Sequence, residues 1–128
     1  MIKISTSQIK LLHELLARKT GGSTGLRDEG LLLSAVEGVY QTFGGVDLYP
    51  TIVEKAVQLG FRLIQYHAFI DGNKRIGMLS ILSFLKLNGV CINPSDEDIV
   101  RIGIGIASGV MTYDESLAVV KNLIQEAV

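Results

Sequence analysis

Apolar residues recur along this chain at intervals of three and four, a spacing that predicts helices over most of its length. A first helix runs from about Ser7 to Lys19, with Ile9, Leu12, Leu15 and Leu16 as its apolar stripe. Ser5 and Gln8 form a candidate capping box before it, and Gly21-Gly22 end it. A second helix runs from about Glu29 to Phe43, N-capped by Asp28 and stopped by Gly44-Gly45. Leu32, Ala35, Val36, Val39 and Tyr40 make its buried face. A third, from about Thr51 to Tyr66, repeats Ala56, Leu59, Leu63 and Ile64 at helical spacing.

A fourth helix begins near Asn73 and reaches Leu87, with Leu79, Leu82, Ser83 and Lys86 on successive turns and Gly89 as its C′ residue. Asp96 to about Ala107 is weaker. Ile99, Ile102 and Ile106 favour a helix there, while Gly103 and Gly105 each oppose it by about 1 kcal/mol. Asp114 caps a final helix, Glu115 to about Glu126. Extended structure is confined to a short flap over Gly45-Val46-Asp47-Leu48-Tyr49 and a piece at Val90-Cys91-Ile92. Pro50 and Pro94 fall between helices. The expected fold is an all-α helical bundle, one domain over residues 1–128, with the third and fourth helices as its central pair.

Composition agrees with a folded core: 48% of the 128 residues are apolar and 20% are charged. The net charge of −1 argues against non-specific nucleic-acid binding, which needs many phosphate contacts. The start of the chain lacks the long apolar stretch of a signal peptide, and no run approaches the ~20 apolar residues of a membrane span. One cysteine, Cys91, has no partner for an internal disulfide. These features lead to the expectation of a cytoplasmic protein. Cys91, between Val90 and Ile92, reads as a small buried hydrophobe. Asp96-Glu97-Asp98 reads as a helix start favoured by the macrodipole. His13 has no metal-ligand spacing to His67, and no P-loop motif is present.

The chemistry concentrates in the turn between the two central helices, His67-Ala68-Phe69-Ile70-Asp71-Gly72-Asn73-Lys74-Arg75. His67 ends the third helix, where it serves either as a general base or as a polar helix end. Phe69 reads as an anchor in the core, with Ala68 and Ile70 also packed. Asp71 either caps the fourth helix or holds Mg²⁺, a cation that favours one or two carboxylates plus phosphate oxygens. A lone carboxylate is a poor metal site, so metal is expected to arrive with ATP. Gly72 permits positive φ and close approach of a ligand, and Asn73 offers a side-chain amide. With the amides that follow, they form an anion nest. Lys74 and Arg75 stand in the first helical turn, against the macrodipole, a misfit that an anionic ligand resolves. Arg27 and Asp28 read either as a structural turn or as the wall opposite the motif.

His-x-Phe-x-Asp-x-Asn-Lys-Arg resembles the signature of the Fic/Doc superfamily, and of its death-on-curing (Doc) toxin branch in particular. The commoner Fic pattern is His-Pro-Phe-x-[Asp/Glu]-Gly-Asn-Gly-Arg-x-x-Arg. This chain has Ala68 for the proline, Lys74 for the second glycine and Met78 for the second arginine. The last two departures are those of the Doc branch. Gly21-Gly22, Leu26-Arg27-Asp28-Glu29-Gly30 and Phe84-Leu85-Lys86-Leu87-Asn88-Gly89 extend the resemblance over nearly the whole chain.

The resemblance implies that His67 is the catalytic base toward a protein hydroxyl and that Asp71 holds Mg²⁺ on ATP. It implies an anion hole from Gly72, Asn73 and Lys74, with Arg75 on phosphate. Fic enzymes mostly transfer AMP, whereas Doc toxins act as protein kinases. The lysine would favour a reversed nucleotide, with its γ-phosphate near the target. The implied target lies in the translation machinery, notably elongation factor Tu. The implied partner is an antitoxin that folds a helix into the active-site groove. Ser34-Ala35-Val36-Glu37-Gly38 falls one residue short of the inhibitory helix motif of many Fic enzymes, so inhibition is expected in trans. Two alternatives stand beside the kinase: an AMP-transferase, and a non-catalytic module that binds a partner helix.

Overall fold

The computed structural model describes residues 1–124. Six α-helices account for most of them: α1 (Thr6–Thr20), α2 (Glu29–Glu37), α3 (Ile52–Tyr66), α4 (Asn73–Leu87), α5 (Asp96–Ala107) and α6 (Tyr113–Leu123). A hairpin of two short strands, β1 (Thr42–Phe43) and β2 (Val46–Asp47), interrupts them between α2 and α3. The all-α expectation holds.

Local chemistry sets most boundaries. Ser5 and Gln8 form the reciprocal capping box that starts α1, and Gly21 ends it at φ 77°. Thr51 caps α3 through Glu54 N, and Ser95 with Asp98 makes a second capping box before α5. Asp28 caps α2 as expected. The cap of α6 is Thr112 rather than Asp114, because Glu115 lies three residues after Thr112 and completes a third box. The expected end of that helix, near Glu126, lies outside the described residues.

The second helix is shorter than its periodicity suggests. It ends at Glu37, continues as one tight turn through Gly38–Tyr40, and gives way to the hairpin. Gly44 and Gly45 are therefore no helix stop. Their φ values of 59° and 80° place them in the hairpin turn, where a two-residue link needs positive φ at both positions. The hairpin is fastened at its root by Lys55, a buried lysine whose ammonium donates to the Asp47 carboxylate at 3.1 Å and to the Tyr49 carbonyl. At the tip, Phe43 (81%) and Val46 (68%) are exposed.

The third and fourth helices are the central pair, and glycine explains how closely they cross. A Cβ on Gly60 would lie 2.7 Å from the Gly77 carbonyl, and one on Gly77 would lie 2.9 Å from the Gly60 carbonyl. The two backbones touch at this point. Gly77→Ala is expected to destabilise the fold by about 1–3 kcal/mol through overpacking. A lowered denaturant midpoint at unchanged m-value would show it.

Around the crossing, Leu59, Leu63, Ile64, Ile76, Ile81, Phe84 and Leu85 are fully or almost fully buried. The face of α4 read from its periodicity is displaced. Leu79, Leu82 and Ser83 are only partly buried and Lys86 is exposed, because α3 covers the Ile76–Ile81–Phe84 side instead. In α1 the buried set is Ile9, His13 and Ala17, and Leu15 faces outward. Helix α5 passes unbroken through Gly103 and Gly105. A Cβ on Gly103 would make ordinary contact with Met78 and Lys74, whereas one on Gly105 would come 3.1 Å from Met111, so the second glycine allows the closer packing. Cys91 is exposed, against expectation. The extended piece beside it carries its one bridge at Ile92, to Ile124. Among the described residues no helix is long and apolar enough to cross a membrane.

Candidate active site

The nine-residue motif forms the turn from α3 into α4. Helix α3 stops at Tyr66, and His67 adopts a left-handed conformation, φ 50° and ψ 47°. It is the only non-glycine residue with positive φ among the described residues. Such a conformation costs energy for any residue with a Cβ, and glycine would adopt it freely. A histidine kept there suits a site that needs the imidazole. Its ring is exposed, while its backbone is held: Arg27 Nε donates to the His67 carbonyl at 2.6 Å and Arg27 Nη2 to the Tyr66 carbonyl at 3.0 Å. One guanidinium thus caps the C-terminal end of α3.

The next residues pass beneath the segment before α2. The amides of Arg27 and Asp28 both donate to the Ala68 carbonyl, and Ile70 N donates to the Gly25 carbonyl. Leu26 and Phe69 form an isolated bridge. Arg27 and Asp28 are therefore structural: one braces the motif turn, the other caps α2. Phe69 is the core anchor, 2% exposed. Ala68 is buried as expected, but Ile70 is 62% exposed, because its side chain lies over Gly25 on the surface.

Asn73 clasps the turn from the other side. Its Oδ1 accepts from Phe69 N at 3.1 Å and its Nδ2 donates to the Phe69 carbonyl at 2.9 Å. The side-chain amide is thus engaged within the loop, while the backbone amide of Asn73 opens α4. Asp71 does not cap α4. Its Oδ1 accepts from Gly72 N at 2.8 Å, and Gly72, at φ 76°, is the N-cap residue. No side chain bonds the first amides of α4, whereas the other five helices all have a side-chain N-cap. The motif helix alone begins with bare amides, the arrangement that accepts an anion.

The two cations flank this end. Arg75 Nη1 donates to Thr20 Oγ1 at 3.4 Å and lines a small recess with His13, Gly22, Asp71 and Gly72. Lys74 lines a groove of about 390 Å³ between α4 and α5, together with Arg75, Met78, Leu79, Ile99 and Ile104. Neither forms an ion pair among the described residues.

The residues fit a metal that comes with phosphate. No group of three or more His, Cys, Asp or Glu side chains could hold a metal among the described residues. Asp71 supplies one carboxylate, and the absence of a side chain at Gly22 keeps its Oδ2 clear: a Cβ there would stand 2.8 Å away. Mg²⁺ bound through one carboxylate and phosphate oxygens needs no more from the protein.

Residues 3–85 match the model of the Fic/DOC family. The chain belongs to the Fic/DOC family. The motif falls within the matched span, and the curated relatives place the chain on the Doc branch. It is 42% identical over 81 residues to toxin Doc of Mycolicibacterium smegmatis, covering 63% of this chain and 62% of that one. It is 29% identical over 109 residues to protein kinase doc of Escherichia phage P1, covering 85% of each. The alignment thus spans less than two thirds of the mycobacterial relative.

Within this Fic/DOC site, the sequence left Arg27 open between two roles and gave His13 none. Arg27 and His13 come from distant elements, 40 and 58 residues from the groups they contact. His13 left one trace in the sequence: it lies on the same face of α1 as Ile9 and Ala17, an apolar face on which an imidazole needs a partner.

Proposed function

We propose that the protein is the toxin of a toxin–antitoxin pair and transfers the γ-phosphoryl group of ATP to a hydroxyl of a protein in the translation machinery, with elongation factor Tu as the proposed target. The bare N-terminus of α4, which follows His67 and Asp71 in the motif turn and bears two cations that form no ion pair among the described residues, carries this reading. The printed names of the two relatives, a toxin and a protein kinase, support it.

The geometry supports the following roles. The amides of Asn73, Lys74 and Arg75 cradle phosphate oxygens, and the Lys74 and Arg75 side chains neutralise their charge. His67 accepts the proton of the acceptor hydroxyl. The hydroxyl oxygen then bonds to the γ-phosphorus as the bond to ADP breaks. Mg²⁺, when bound through Asp71, screens the phosphate charge and fixes the phosphate chain. Lys74 stands where the AMP-transferring relatives have glycine, and its side chain fills space on the groove side of the helix start. That bulk supports a nucleotide presented with its γ-phosphate toward His67.

The test is mass spectrometry of the acceptor after incubation with the protein, ATP and Mg²⁺. The reading predicts one phosphoryl group on a Ser or Thr of elongation factor Tu. An unmodified factor alongside another modified translation protein would change the target. No modified protein at all would overturn the enzyme.

The groove between α4 and α5 favours the partner reading as well. Leu79, Leu82, Val100 and Ile104 make its walls apolar, and Lys74 and Arg75 stand at its mouth. We place the antitoxin helix there, with an acidic residue toward the two cations. Val100 and Ile104 are largely exposed, so Ile104→Glu should fold normally. It is expected to weaken rescue by the antitoxin by about 2 kcal/mol or more, the scale of a lost apolar anchor. Transfer in the absence of antitoxin should stay unchanged. Titration of antitoxin into the transfer assay reads both.

A further inference from the structure

His13 is a buried titratable side chain against the motif turn that the proposed chemistry leaves without a task. It is 2% exposed on the inner face of α1. Its ring stacks on Phe69 with centroids 3.7 Å apart and planes 10° from parallel. Its Nε2 lies 2.7 Å from the Asp71 carbonyl oxygen. A carbonyl only accepts, so Nε2 carries the hydrogen and donates.

That carbonyl belongs to the peptide joining Asp71 to Gly72. The N–H of the same peptide donates to Asp71 Oδ1. The peptide is therefore held at both ends, by the imidazole on its oxygen and by the carboxylate on its nitrogen. Two groups flank this plane. On one side, Oδ2 of Asp71 lies beside Gly22, which has no side chain to cover it. On the other, Gly72 stands at φ 76° and the amides that open α4 follow it. The imidazole lies directly against this N-cap, since a Cβ on Gly72 would come 3.5 Å from His13 Nε2. Satisfying a buried imidazole requires only some acceptor. Here the acceptor is the peptide between the metal-binding carboxylate and the phosphate-binding amides.

We propose that His13 is a positioning residue: its Nε2–H bond to the Asp71 carbonyl, backed by stacking on Phe69, aims the Asp71 carboxylate and the first amides of α4 at Mg·ATP. The proposal rests on the phosphotransferase reading of the same site.

Two variants separate the hydrogen bond from the packing. His13→Phe keeps a ring against Phe69 and loses the donor. His13→Gln keeps an N–H donor at similar reach and loses the ring. Calorimetry of Mg·ATP binding should show an affinity loss of about 10–100-fold in His13→Phe, the range found when a partner that orients a metal ligand is removed. His13→Gln should retain most of the affinity despite a lower melting temperature. The orientations of the Gly72, Asn73 and Lys74 N–H vectors, from residual dipolar couplings without nucleotide, should change in His13→Phe and be restored in His13→Gln. Affinity that follows melting temperature across the two variants would overturn the proposal, as would unchanged N–H orientations in His13→Phe. Wild-type protein that binds no Mg·ATP would overturn the phosphotransferase reading instead, and the dipolar couplings would still decide whether His13 orients the turn.

Discussion

His67→Ala is expected to lower phosphoryl transfer by about 10²–10⁴-fold, the usual contribution of a positioned general base. The ring is exposed at the end of α3, and its removal breaks none of the hydrogen bonds that hold the turn, since those use the His67 carbonyl. The bare amides of α4 remain, so Mg·ATP binding should change little. A fall in kcat with nearly constant affinity for nucleotide is the expected signature. His67→Gly provides the control for stability. Glycine adopts φ 50° without the ~1–2 kcal/mol that a left-handed conformation costs other residues. That variant should therefore be as inactive as His67→Ala and melt at a higher temperature. Cells should grow when either variant is expressed without antitoxin. Growth arrest by His67→Ala equal to that by the wild type would favour a module that acts by binding alone.

Asp71→Asn should have the second largest effect, through charge rather than shape. The amide oxygen of asparagine can still accept from Gly72 N, so the turn should persist. The anionic oxygen beside Gly22 is lost. If that oxygen binds Mg²⁺, several kcal/mol of charge stabilisation goes with it, on the order of 10²-fold or more in rate. Raising the Mg²⁺ concentration should recover part of the rate in Asp71→Asn and none in His67→Ala. The magnesium dependence of initial rates distinguishes the two roles. Equal recovery in both variants would mean that Asp71 does not bind the metal.

The motif turn was legible because its parts are contiguous. His67 through Arg75 fall in one stretch between two periodic segments, so their proximity needed no knowledge of tertiary structure. The capping box of Ser5 and Gln8 and the cap at Asp28 were legible for the same reason. Residues whose meaning depends on a distant neighbour were not. Gly44-Gly45 ends a helix or turns a hairpin with equal ease, and the strand partners across it decided. The face of α4 could not be chosen from periodicity because its apolar residues reach more than halfway round. The close approach at Gly60 and Gly77 selected the buried side. Asn73 was read as a ligand group, yet its side chain closes the loop on Phe69. His13 entered the site only through the packing of α1 against the turn, and the packing of the segment before α2 decided between the two readings of Arg27.

The spatial arrangement also alters how the two adjacent cations are understood. In sequence, Lys74 and Arg75 make one basic pair at a helix start. In space they differ: both line the α4–α5 groove, and Arg75 also reaches Thr20 and the Asp71 recess. The lysine side is also where the proposed antitoxin helix docks, so nucleotide and antitoxin should oppose each other's binding.

Which part of ATP reaches the acceptor separates phosphoryl transfer from AMP transfer. Parallel reactions with γ-labelled and α-labelled ATP, each containing Mg²⁺ and elongation factor Tu, measure it directly. Phosphoryl transfer predicts label on the factor from γ-labelled ATP alone, absent with His67→Ala. Label from α-labelled ATP alone would contradict it and assign the site to AMP transfer.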